Sequence, residues 1–240
     1  IAAPGQTALL IRAFKAPCES GLPYSTDGIA RCATKEQQAL ALGVYGADLA
    51  YVTIHKDGQR ALKTLQAIEQ LSGKLNLSNA FDKELLDGFK QHINNEDSLL
   101  RFTGKAFRAA DMYLKNEQRN DISAGVLAGG WIEGLYLTLG TTGTDVDPKV
   151  AARLAEQRHT LDNLIALLTQ NDASGELVEA LQDLATAYGE VSSTYTFVQP
   201  TLDAANKTTY INSKTTAQIT PEALQRIIGK VRAIRSAIIA

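Results

Sequence analysis

Few side chains in this sequence suit redox or metal chemistry: three His, two Cys, one Met and one Trp in 240 residues. Zinc clusters, iron–sulfur centres and disulfide frameworks need more cysteine or histidine than that, and no cofactor or metal is expected. Net charge is nearly absent too. Lys plus Arg is 24 and Asp plus Glu is 26, so no overall basic field draws in nucleic acid. Proline is scarce, six in all, and several stand beside helix starts, which leaves long stretches without a helix breaker. Nucleophile elbows, Walker loops, dinucleotide-binding glycines and His-Glu-x-x-His are missing, which argues against an enzyme without excluding one. The chain opens at Ile1; that reads as a processed or trimmed product with no signal peptide retained.

What the chain does have is amphipathic periodicity. Apolar residues make up 45% and charged residues 21%, an ordinary globular balance. Apolar stripes at helical spacing predict helices over about 6–16, 34–55, from Gly58 through Leu71, 82–93, 96–115 and 122–139. Thr34 opens the second with a Thr-x-x-Gln capping box, and Asp147-Pro148 marks the start of a helix carrying Leu154, Leu161, Leu164 and Leu168. Leu177, Leu181, Leu184, Tyr188, Val191 and Tyr195 continue a bundle-type spacing. The Thr- and Asn-rich stretch 200–220 reads as a long polar loop with a small hairpin near 208–217, and Thr220-Pro221 starts a last helix. The expected architecture is all-α, an antiparallel bundle of about eight or nine helices. It forms one domain over 1–240, divided as N-terminal helix and Cys-flanked loop (1–33), bundle core (34–199), polar loop (200–220) and C-terminal helix (221–240).

Two segments stand out. Ala39, Gly43 and Ala47 repeat every four residues, and Gly125, Gly129, Gly130 and Gly134 form two overlapping Gly-x-x-x-Gly patterns. A glycine inside a helix costs about 1 kcal/mol against alanine, so four in one helix imply that another backbone comes close. These two helices are expected at the centre of the bundle, near each other. Ile122–Gly140 carries a single charge, Glu133, and that charge with the glycines argues for a buried soluble helix over a membrane span. Gly43–Leu49 can be laid on Gly129–Leu135 as an internal echo, which either duplication or common helical composition explains.

Each glycine-rich segment holds one acid among apolar neighbours, Asp48 and Glu133. A carboxylate taken into a core must be hydrogen-bonded, ion-paired or protonated. One reading makes the acids polar handles in a ligand pocket lined by Tyr45, Tyr51, Trp131 and Tyr136. The other makes them a structural pair with Arg60, Arg101, Arg108 or a tyrosine hydroxyl. Glu156-Gln-Arg-His159 has the i, i+3 spacing of di-iron bundles, but Val52 and Phe89 stand where His55 and His92 would need a glutamate. Cys18 and Cys32 flank a Pro- and Gly-containing loop; bonded, they would close about 15 residues for roughly 3 kcal/mol and favour export. The last helix sets Arg226, Lys230, Arg232 and Arg235 against Glu222, a solvated face or one that meets an anionic lipid or acidic partner.

At Leu42–Tyr51 and Gly129–Tyr136 the chain resembles uncharacterised helical proteins of the Bacteroidetes, many of them predicted lipoproteins or otherwise exported. The resemblance implies a periplasmic or outer-membrane-associated location and no activity, and it places weight on the same two helices. The function expected is therefore an exported, non-enzymatic binding or structural module that takes a protein partner or a small ligand, with no nucleic acid and no transmembrane span. The alternatives are a hydrolase or transferase using Asp48 or Glu133 as base, and a sensory domain whose gene continues past Ala240 into a span.

Overall fold

The computed structural model describes residues 18–80, 87, 88, 91, 95–140 and 148–238. The helix expected over 6–16, most of that over 82–93, and Asp147 lie outside these residues. The fold is mostly helical and bundle-like. A strap, residues 18–33, contains the 3-10 turn Thr26–Arg31 and leads into α1 (Lys35–Ile54), followed by α2 (Gly58–Lys74), the 3-10 turn Ser78–Ala80 and α3 (Glu96–Asn116). Then come α4 (Asn120–Gly140), α5 (Pro148–Gln170) and α6 (Gly175–Tyr188), a β ribbon, and α7 (Pro221–Ile238).

α1 begins with the expected capping box: Thr34 accepts from the Gln37 amide and Gln37 caps the Thr34 amide. From Ala39 to Thr53 every residue of α1 is buried, as a helix apolar on all sides must be. It packs along α4, as the glycine spacing predicts. A Cβ on Gly43 would overlap the carbonyl oxygen of Val126, and one on Gly129 would overlap that of Leu40. On one side of this pair lie α2, α3 and the strap, with Ile29, Leu42, Leu71, Leu75, Leu114 and Ile122 in one cluster. On the other, Leu135, Leu161, Leu164, Leu181, Leu224 and Val231 join α4 to α5, α6 and α7. α4 is long and apolar enough to cross a membrane by composition, yet most of it is buried inside the bundle.

Two expectations are corrected here. The stripe Leu177–Tyr188 does not run on to Val191 and Tyr195; α6 stops at Tyr188 with Gly189 after it. Beyond it the β-branched and aromatic run Ser192–Thr196 favours a strand. The polar loop is part of a longer ribbon: β1 (Ser192–Thr196) pairs antiparallel with β4 (Lys214–Gln218), and β2 (Thr201–Asp203) with β3 (Thr208–Tyr210). Ser192 faces Gln218 while Thr201 faces Tyr210, so the two ladders are offset by one residue. Pro200, which has no N–H to give a ladder, lies between them. β4 rests on α5, whereas β2 and β3 pack chiefly on each other.

Four helices end without glycine. Lys56, Asn76, Gln118 and Asp172 take positive φ after α1, α2, α3 and α5. The next amide in each case reaches back to close the end: Asp57 to Val52, Leu77 to Ser72, Arg119 to Leu114 and Ala173 to Leu168. A side chain in this conformation costs about 1 kcal/mol or more, which glycine avoids. Gln118→Gly is expected to raise stability by about 0.5–1 kcal/mol, read as a higher urea midpoint at unchanged slope.

Candidate functional site

Asp48 on α1 and Glu133 on α4 come together under the strap. Asp48 is 1% exposed and Glu133 0%. The cation that meets them is Arg235 of α7, not Arg60, Arg101 or Arg108. Its Nε donates to Glu133 Oε2 at 2.6 Å and its Nη2 to Oε1 at 2.8 Å, a two-point clamp. Nη2 also reaches the Leu22 carbonyl at 3.0 Å. The guanidinium lies 4.1 Å from the Tyr136 ring centre and 5.4 Å from that of Tyr24, so both aromatic faces stabilise it. The last helix is thus no uniform basic face. Arg226 pairs with Glu190 and Lys230 with Asp183 at the surface, while Arg235 turns inward.

Asp48 Oδ2 accepts the Tyr24 amide at 3.0 Å. Its Oδ1 is buried and takes no hydrogen bond from an N–H or hydroxyl, but the Asp48 carboxyl lies within hydrogen-bond reach of Glu133. Two carboxyls in such contact hold together when one carries a proton. Burial, and then the charge of Glu133, hold the Asp48 carboxyl well above the ordinary carboxylate range, with the Tyr24 amide and Arg235 opposing. Burial pushes Glu133 up as well, opposed first by the Arg235 hydrogen bonds and then by the charge behind them. The arrangement favours a neutral Asp48 beside an ionised Glu133, which is clamped by Arg235.

The tyrosines on α1 are engaged by the strap. Tyr45 donates its hydroxyl to the Ser25 carbonyl at 2.9 Å. Tyr51 accepts the Glu19 amide at 2.9 Å. Arg60, at the start of α2, donates to the Ser20 carbonyl, Lys74 to Ile29 at 3.3 Å and Gln38 to Cys32 at 3.1 Å. The strap main chain therefore occupies the face that the sequence offers to a ligand. Asp48, Glu133, Tyr45 and Tyr136 are gathered there and Tyr51 stands at the strap's beginning. Trp131 is not; it points to α5 and donates to Gln157 at 2.9 Å.

The candidate pair Cys18 and Cys32 is not bonded in this structure. Both thiols are free, Cys18 exposed and Cys32 buried, because the turn before Cys32 tucks it beneath Ile29, with its Sγ 3.9 Å from the Gly28 carbonyl. Glu156 pairs with Arg153 at 2.6 Å, and among the described residues no group of three metal-binding side chains assembles.

Sequence reading missed Arg235, Leu22 and Tyr24. Arg235 had a signal: Leu224, Ile228, Val231 and Ile238 are buried at 4,3,7 spacing, and Arg235 fills the vacant step in that seam. Compared with protein-family models, curated proteins and solved structures, the chain gives no match.

Proposed function

We propose that the protein is a non-enzymatic, exported helical module that acts by binding a protein partner through its β ribbon. One observation carries this reading. Tyr195, Phe197, Val198, Leu202, Tyr210 and Ile211 are exposed, and outside this ribbon only Leu62 and Met112 are exposed large apolar side chains among the described residues. Scattered exposed apolar residues need no explanation, but their concentration on one ribbon favours an interaction surface there. The ribbon also leaves strand edges open, the feature that pairs with an added strand of another chain. A two-stranded ribbon is marginally stable in water by itself, and docking would stabilise its outer half.

A hydrolase or transferase reading asks Asp48 or Glu133 to reach a substrate proton. Both are enclosed, and their oxygens serve Tyr24, Arg235 and each other. The location in the cell envelope is supported by the resemblance of the two glycine-rich segments; the free thiols lend it nothing.

A photo-cross-linking residue at Leu202, compared with one at the exposed Met112 on α3 in cells of the native host, tests the reading. Discrete adducts from Leu202 and none from Met112 are expected. Equal adducts at both positions, or none at Leu202, would remove the ribbon as the binding surface.

A further inference from the structure

We propose that Asp48, Glu133 and Arg235 form a proton-controlled latch: with one proton held between the two carboxyls the strap stays down. Loss of that proton to solvent lifts residues 19–29 and uncovers the Tyr45, Asp48 and Tyr51 face of α1. The geometry supplies three parts of such a device. A cluster of two acids and one base lies at the junction of α1, α4 and α7. A cover without regular structure beyond one 3-10 turn lies over it. The cover is tied directly to the cluster, by the Tyr24 amide on Asp48 and the Leu22 carbonyl on Arg235.

Among the described residues, the charged and titratable groups facing the pair are Arg235 from α7, Tyr136 from α4, Tyr45 from α1 and Tyr24 from the strap. With Asp48 neutral, Glu133 and Arg235 balance. With Asp48 ionised, two carboxylates share one guanidinium in an enclosed site, and the excess charge must be hydrated. Water reaches the site when the strap moves, since the helices behind it are fixed by the close contact of Gly43 and Gly129 with the opposing backbones.

The sign follows from where the proton sits. An unfolded or released Asp48 gives up its proton near the ordinary value, about 3.9, and the latched one holds it to higher pH. The latch is therefore fully stabilising below that ordinary value and weakens as pH rises toward the latched value. Tyr45, whose phenol is held up by burial first and then by Asp48, stays neutral throughout and does not oppose this order.

Cys32 reports the strap, because it is buried beneath Gly28 and Ile29 while Cys18 is exposed. In the full chain, mass spectrometry gives the alkylation rate of each thiol, and the Cys32 to Cys18 ratio removes most of the common pH dependence. As pH rises above the ordinary carboxylate range the ratio is expected to rise at least about tenfold, with the helical circular dichroism unchanged. Asp48→Asn, which supplies an amide N–H to Glu133 and an oxygen to the Tyr24 amide at every pH, is expected to hold the ratio low. Tyr51→Phe leaves the acids intact but removes the tie at Glu19, and is expected to shift the rise to lower pH. A flat ratio in the unaltered protein, the same rise in Asp48→Asn, no shift in Tyr51→Phe, or loss of helical signal in step with the ratio would each overturn the latch.

Discussion

Gly129→Ala is expected to destabilise the protein by about 3 kcal/mol or more, seen as a large fall in the urea midpoint. The added methyl meets the carbonyl oxygen of Leu40, with Leu40 C at 2.7 Å and Cα at 3.0 Å. These are main-chain atoms inside α1, so no side-chain rotation relieves the overlap and the two helices must separate. Separation breaks the packing of the two helices that every other layer rests on. Gly229→Ala serves as the opposite case. It lies within α7, exposed, with nothing within 4 Å of an added Cβ. There alanine lowers the entropy of the unfolded chain and meets no obstacle, and a gain of about 0.5–1 kcal/mol is expected. The same chemical change thus carries opposite signs at two helical glycines, separated only by what stands in front of them.

The second large effect belongs to the ion pair. Arg235→Met leaves Glu133 enclosed with no cation and is expected to cost about 3–5 kcal/mol near neutral pH. Much of that loss should be regained as pH falls, because a protonated Glu133 no longer needs a counter-charge. Adding Glu133→Leu to Arg235→Met removes the stranded charge, and the pair together is expected to be more stable than Arg235→Met alone. Arg232→Met, on the exposed face one turn earlier in the same helix, is expected to shift stability by less than about 0.5 kcal/mol. Chemical denaturation across a pH series of the unaltered protein, these three variants and Glu133→Leu alone checks this. A structural role requires non-additivity between positions 133 and 235, which lie 102 residues apart.

Much of this was legible in the residues. Gly43 and Gly129 announced a close backbone contact because nothing else explains glycine inside an otherwise strong helix, and the contact is there. Asp48 and Glu133 were singled out because acids are expensive in apolar surroundings. Their partner was harder to read. Arg235 looked like one more cation on a basic helix, and its place in the buried seam emerges only when Ile228 is counted with Leu224 and Val231. The strap was illegible for a different reason: its ties are to main-chain amides and carbonyls of Glu19, Ser20, Leu22, Tyr24 and Ser25, which every sequence possesses. The ribbon misled through coincidence of period. Val191 and Tyr195 continue a helical spacing, yet the surrounding Ser, Thr and aromatic residues favour strands, and no apolar layer waits to receive a helix there. The helix ends near His55 and Lys115 are legible to within about a residue, whereas the left-handed conformation of Lys56 and Gln118 that closes them is not, because glycine usually marks it.

The protonation of Asp48 decides whether the enclosed acids are a structural latch. Carboxyl carbon NMR of aspartate-labelled protein, titrated with acid and base and assigned by loss of the resonance in Asp48→Asn, measures it directly. The Asp48 carbon is expected to keep the shift of a neutral acid through the range where other aspartates ionise, about 3.9, and to move only well above it. In Glu133→Gln the transition should come at lower pH, since the neighbouring charge is gone. A wild-type Asp48 that ionises with the surface aspartates, unmoved by Glu133→Gln, would contradict the shared proton and the latch built on it.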